Sequence, residues 1–212
     1  MSRTISARQI YQALIQLCQI IEEQKDYLSE LDGAIGDGDH GVNMAKCFRQ
    51  VKAELPQVKG EDVGAILLKV GMVVMNSVGG AMGALYGTFF LKAAQAAAGK
   101  ESLALADFLA LIRAGEEGVL AIGKARVGDK TLVDTLHPAV EALGQAHDQG
   151  LGMSRALAEM VAAARSGMES TKEIQARLGR ASRLGERTLG HQDAGATSCF
   201  FILQALAKAG QE

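Results

Sequence analysis

Tryptophan is absent from the 212 residues, aromatics make up 4% of them, and Pro56 and Pro138 are the only prolines. Such a chain, rich instead in Ala, Leu and Gly, favours helices packed through small residues over sheets built from aromatic and β-branched ones. No Pro- or Ser-rich linker divides it, so a single domain over residues 1–212 is expected. Cys18, Cys47 and Cys199 are odd in number and widely spaced, which excludes a disulfide framework. The formal net charge is −2 without a strong basic run, so no nucleic-acid surface is indicated. Met1-Ser2-Arg3-Thr4-Ile5-Ser6 lacks an apolar leader, and a cytoplasmic protein is expected. Charge is missing altogether from Val70 to Leu91, long enough for a membrane helix. Asn76, Ser77 and the pair Gly79-Gly80 in its middle mark instead a break between two buried helices, and no membrane contact is expected.

What the chain does have is acid and glycine in one place: Leu31-Asp32-Gly33-Ala34-Ile35-Gly36-Asp37-Gly38-Asp39-His40-Gly41-Val42-Asn43. Carboxylates held close together need a counter-charge. No Lys or Arg lies between Asp26 and Lys46, so a metal is the indicated partner, and all-oxygen ligands favour Mg²⁺ or Ca²⁺ over zinc. The alternative is a solvated turn, for which Asp and Gly are ordinary residues. Gly36 to Gly41 fits G-x-G-x-x-G to the letter, but the acids at its variable positions would repel a pyrophosphate and no buried strand leads in. An EF-hand loop fails at Gly41 and Val42, which occupy the third-ligand and invariant-glycine positions. A bound Mg²⁺ would bring phosphate with it, because it completes its shell with substrate phosphates and water.

Periodicity supplies about eight helices and no convincing strand. Ile10, Leu14, Leu17 and Ile21 form the first stripe, on a helix expected to reach Tyr27. The second runs from Val42 to Leu55 before Pro56, and the third from about Asp62. Gly79, Gly83 and Gly87 lie four apart on a helix continuing to Ala98, which suits close packing. A hydroxyl and bare amides at Ser77, Gly79 and Gly80 equally suit an anion site at a helix start. A fifth helix covers Leu105 to about Ala121. Gly123 to Thr131 is not a Walker A loop, since Asp129 interrupts the motif; Thr131 is expected to cap a sixth helix that buries Leu132 and is kinked or restarted by Pro138. A seventh runs through Leu157 and Met168 towards Ala176, and a last one ends near Lys208. Between them, 179–197 reads as an exposed charged loop in which one arginine could clamp phosphate.

Four motifs, Asp32-x4-Asp37-x-Asp39-His40-Gly41, Ser77-Val78-Gly79-Gly80, Gly128-Asp129-Lys130-Thr131 and Gly190-His191-Gln192-Asp193-x-Gly195-Ala196-Thr197-Ser198, resemble in order those of the L-subunit family of dihydroxyacetone kinases. The resemblance spans nearly the whole chain. It implies an all-α fold, an eight-helix antiparallel barrel with the nucleotide site at one end. Asp32, Asp37 and Asp39 would ligate two Mg²⁺ ions on the phosphates of ADP or ATP. His40, Gly41 and Asn43 would contact the phosphate region, and Ser77, Gly79, Gly80, Ala81 and Met82 would offer the turn that cradles it. Arg180 would meet phosphate, Gly123 and Leu132 would lie against adenine or ribose, and the loop of Asp193, Gly195 and Thr197 would close the pocket. No residue is assigned as a general base.

A free-standing chain of this kind resembles the type dependent on the bacterial phosphotransferase system. There bound ADP is recharged by a phospho-histidine of the M subunit and phosphorylates dihydroxyacetone held on the K subunit. Met82 stands where the family has Ser, and Ala84 and Ala194 where it has Pro. Met82 admits an ATP-using L-type subunit acting on another small ketose. Fatty-acid kinases share the domain but carry Thr where His40 stands. A nucleotide-loaded module that binds a transcription regulator is the alternative from a different class.

Overall fold

The computed structural model describes residues 4–210. Met1–Arg3, on which the N-terminal expectation rests in part, and the last two residues of the expected domain lie outside them. Nine helices are present among the described residues: α1 (Ala7–Glu23), α2 (Lys25–Ile35), α3 (His40–Glu54), α4 (Val63–Ser77), α5 (Gly80–Ala96), α6 (Leu105–Gly123), α7 (Val133–Asp148), α8 (Met153–Ser170) and α9 (Ala194–Lys208). Side chains set several of the starts. Ser6 and Gln9 form a reciprocal capping box at α1, Asp62 accepts from the Ala65 amide at α4, and Asp193 accepts from the Ala196 amide at α9.

The packing closes into a ring. Taken in order, α1, α3, α4, α5, α6, α7, α8 and α9 each pack on the next, and α9 returns to α1, while α2 lies against α3 and α9. This is the expected eight-helix barrel with one extra short helix. Phe48, Phe90 and Phe108 are fully buried in its interior among Leu, Ile and Ala. Small residues set the helix spacing: a methyl on Gly64 would sit 2.7 Å from Ala98, and one on Gly71 within 2.9 Å of the Leu91 amide nitrogen.

Four local expectations change. The first helix does not stop near Tyr27; it bends at Gln24 and continues as α2, so that Asp32 and Gly33 are helical and only Gly36–Asp39 form the loop. Pro138 does not restart its helix, which runs from Val133 to Asp148 with the proline inside it. The amide it lacks would have bonded the Asp134 carbonyl, and that carbonyl instead lies against Gly167 of α8, where there is no side chain to obstruct it. Helix α7 starts at Val133 with Leu132 at the cap position; Thr131 still accepts from the Val133 amide at 3.2 Å, and the Asp134 carboxylate accepts from the amides of Gly128 and Thr131. Helix α8 ends at Ser170, short of Ala176, in a turn of 3₁₀ helix at Thr171–Glu173.

A two-residue antiparallel pair, β1 (Ile5–Ser6) with β2 (Ser102–Leu103), ties the start of the chain to the α5–α6 connection. It is too short to leave a period-2 signal. The uncharged run from Val70 to Leu91 splits at Val78-Gly79 between α4 and α5, and no helix among the described residues is long and apolar enough to cross a membrane.

Candidate active site

Because the ring alternates in direction, α3, α5, α7 and α9 all begin at one end. There they surround a cavity of about 540 Å³, within the usual range for small-molecule sites. Helix N-termini carry unsatisfied amides and partial positive charge, so their convergence favours an anion. Helix α5 is the clearest case. Its cap residue Gly79 supplies no side-chain bond, Gly80 has φ +73°, and a methyl at either would meet no atom within 4 Å. Gly79, Gly80, Ala81 and Met82 line the cavity, and among the described residues no bond from another segment occupies their amides. Gly83 and Gly87 are different: side chains there would strike the Val78 carbonyl and Met75. Packing accounts for the latter pair of glycines and open backbone for the former.

The acids gather across the cavity from α5. Asp32, Asp37 and Asp39 each place an oxygen within 4.8 Å of the others. One oxygen of Asp32 is committed to the loop, accepting from the amides of Asp39 at 2.9 Å and His40 at 3.2 Å. The carboxylate therefore orders the turn that delivers its neighbours. Their counter-charge in this structure is Arg180, whose guanidinium pairs with Asp37 and lies 3.9 Å from Asp39. An all-oxygen set with free lone pairs fits a hard divalent cation in the same place.

His40 begins α3 at the cavity wall. Burial lowers its pKa to about 4 against the opposing pull of Asp32, so the ring is neutral near pH 7. Its Nε2 lies 2.9 Å from Ser198 Oγ, which is 2.6 Å from Tyr86 Oη; the tyrosine also donates to the Gly195 carbonyl at 2.9 Å. Burial pushes the Tyr86 pKa well above its ordinary value, which keeps the phenol protonated. Asp193, the cap of α9, has its pKa raised to about 6 by burial, opposed by the Ala196 amide and Lys130.

The cavity wall brings together Asp32, Asp37, Asp39, His40 and Asn43 with Gly79, Gly80, Ala81 and Met82. Gly123, Leu132, Arg180, Asp193 and Gly195 complete the expected set there. Three expected residues lie off the wall. Ser77 Oγ turns to Gln50 and to the Val73 carbonyl. Gly41 is a packing glycine, since a methyl there would lie 2.7 Å from the Ser29 amide nitrogen. Thr197 is buried, donating to the Asp193 carbonyl at 2.7 Å and accepting from Gln192 at 2.9 Å. Sequence reasoning missed Val78, Leu85, Val119, Ile122 and Leu178, which make the far half of the cavity apolar. It also missed Tyr86 and Lys130 as wall residues. Lys130 lies inside the Gly128-Asp129-Lys130-Thr131 motif, which by itself assigned it no role; the apolar residues carried no signal beyond core periodicity.

An all-helical barrel whose helix starts converge on an acidic, amide-lined cavity defines a class of phosphate-handling domain, and the comparisons with known proteins identify which. The chain belongs to the DAK2 domain family, whose model matches residues 34–208. It is 46% identical to the ADP-binding subunit DhaL of the PEP-dependent dihydroxyacetone kinase of Escherichia coli, over 99% of this chain and 100% of that one. Identity is 41% to the corresponding subunit of the PTS-dependent kinase of Lactococcus lactis, over 88% of each chain. Human triokinase/FMN cyclase is 33% identical over 91% of this chain, which spans 33% of that longer protein. These relatives are phosphotransferases. In fold, the chain matches the dihydroxyacetone kinase of C. freundii with a TM-score of 0.71 at 24% identity, covering 94% of this chain and 34% of that one.

Proposed function

We propose that this chain, as one domain over residues 1–212, is the ADP-binding subunit of a phosphoenolpyruvate-dependent dihydroxyacetone kinase. The observation that carries the proposal is the union of the carboxylate triad and the uncovered α5 amides in one cavity, in a chain that spans the whole length of an ADP-binding subunit at 46% identity. Asp32, Asp37 and Asp39 would hold Mg²⁺, two ions by the family resemblance. The amides of Gly79 to Met82 would take the phosphate oxygens, joined by Arg180. Leu132, Val119 and Ile122 would exclude water from the base. A related fold has been crystallised with AMP-PNP and Mg²⁺, which supports this choice of ligand.

Bound Mg-ADP would supply a phosphoryl carrier between a phospho-histidine of the M subunit and a hydroxyl of dihydroxyacetone on the K subunit. The chain's own residues position and neutralise, the means by which enzymes usually catalyse this transfer. His40, neutral and fixed through Ser198, can hydrogen-bond a phosphate without adding charge. With ADP resident, the same surface could report nucleotide charge state to a transcription regulator.

The deciding experiment is the nucleotide content of the gently purified protein, by acid release and ion-exchange chromatography. Near-stoichiometric ADP after gel filtration is expected. An empty protein that binds added Mg-ATP would favour the ATP-using subunit for another small ketose, with Met82→Ser as the first variant. A protein that binds neither nucleotide with Mg²⁺ would sink the proposal.

A further inference from the structure

The chain between α8 and α9 forms a strap that is closed at its neck. The Lys172 carbonyl accepts from the Gly190 amide at 2.7 Å, so 172–190 leaves the barrel and returns to the same point. Within it, Gly179 and Gly185 hold positive φ, and Leu178, Gly179, Arg180 and Ala181 reach the cavity wall. Lys130 lies beneath the neck and is 2% exposed. Its Nζ donates to the carbonyls of Thr171 and His191, the two residues that flank the strap. Thr171 Oγ1 also accepts from the Asp193 amide at 3.1 Å, and the Asp129 carbonyl accepts from the Arg177 amide at 3.2 Å. The lysine backbone has φ +62°, an uncommon conformation for a residue with a side chain, and this turn directs the ammonium inward. Burial lowers its pKa, opposed by the charges of Asp193 and Asp134. A buried cation is costly unless its donors are satisfied, and two of the three here are taken by the two ends of one loop.

We propose that Lys130 is a positioning residue: it clamps both ends of the 172–190 strap and thereby holds Arg180 over the acid cluster. The consequence for nucleotide affinity rests on the function proposed above; the consequence for the strap does not.

The test uses the full-length chain and two variants, Lys130→Met and Thr171→Val. The second keeps the lysine and the side-chain volume but removes the acceptor for the Asp193 amide. Besides Lys172 at its neck, the strap carries four exposed arginines at which trypsin cleaves, Arg177, Arg180, Arg183 and Arg187. In ligand-free protein, cleavage after these arginines should rise about tenfold in Lys130→Met and less in Thr171→Val, with other sites unchanged. Strap cleavage at the wild-type rate, or an equal rise along the whole chain, would overturn the clamp. If Lys130→Met does not fold, the digest of Lys130→Gln, which shortens the side chain and removes its charge, decides. By calorimetry, Lys130→Met and Arg180→Met should each weaken Mg-ADP binding about tenfold, and the double variant should be no weaker than Arg180→Met alone. Additive losses would also overturn it. A wild-type chain that fails to bind Mg-ADP would remove the nucleotide reading, while the digest would still judge the clamp.

Discussion

The guanidinium of Arg180 pairs with the Asp37 carboxylate, joining the strap to the acidic loop at the wall of the cavity. An arginine here competes with a divalent cation for carboxylate oxygens, yet complements the phosphates such a cation would bring. Arg180→Met should therefore act with opposite signs. Binding of Mn²⁺ alone, followed by electron paramagnetic resonance, should tighten a few-fold, because exposed ion pairs are weak competitors. Mg-ADP binding should weaken by about tenfold or more, the usual scale for a charge-assisted hydrogen bond. A loss in both titrations would mean that Arg180 only orders the loop.

Asp32 and Asp39 should separate by their effect on stability. Asp39→Ala is expected to abolish Mg-dependent ADP binding in calorimetry and leave the thermal midpoint near wild type. Asp32→Ala should abolish binding as well, and in addition cost about 1–2 kcal/mol of stability in urea unfolding, because one of its oxygens satisfies the Asp39 and His40 amides. Equal stability of the two variants would show that the loop does not depend on those bonds.

The three thiols are expected to be silent. Cys18, Cys47 and Cys199 are 4%, 1% and 4% exposed, and burial pushes the first two up to about 12 and raises the third as well. The thiolate is the reactive form, so native protein at pH 8 should show negligible reaction with DTNB over minutes. Urea should release all three. Prompt reaction of one equivalent in the folded protein would contradict this burial.

Asp193 should make folding pH-dependent with a definite sign. Burial raises its pKa from the ordinary 3.8 to about 6. Its contribution to stability is thus complete below pH 3.8 and is lost as the pH rises through about 6. Asn also caps helices but does not titrate. Asp193→Asn, measured by urea unfolding with a chelator present, should match wild type near pH 4 and become relatively more stable above pH 6, by at most about 3 kcal/mol. A difference independent of pH would place the carboxylate in a more polar setting than the structure gives it.

Much of the fold was legible because an apolar stripe at a 3.6-residue period survives translation into packing: Ile10, Leu14, Leu17 and Ile21 are all buried as spaced. The ends of elements were less so. Gly33 and Gly36 both look like breakers, yet α2 runs through the first and stops before the second, because Gly33 packs near Gly38 in the folded turn. Among acids, the local pattern was sufficient to group Asp32, Asp37 and Asp39. Their counter-charge was not local: Arg180 arrives from the far end of the chain, and only the closed ring brings it there. Lys130, Tyr86 and Ser198 were hidden for the same reason, since their partners are carbonyls and hydroxyls contributed by distant segments.

Two glycines of the α5 turn make the sharpest contrast available at the site. A methyl at Gly83 would be driven into the Val78 carbonyl, so Gly83→Ala must shift the backbone that forms the cavity lip; a loss of about 1–3 kcal/mol is expected, as for other overpacked sites. A methyl at Gly79 meets nothing within 4 Å, and its backbone is extended, with φ −78° and ψ 179°, which any residue adopts. Gly79→Ala should therefore melt within a degree or two of wild type while weakening Mg-ADP binding, because the methyl occupies space in front of the uncovered amides. Differential scanning calorimetry and titration calorimetry on the same preparations would give both numbers. Should Gly79→Ala bind Mg-ADP with wild-type affinity, the phosphates do not approach the start of α5, and the acids would have to hold the nucleotide from the other lip alone.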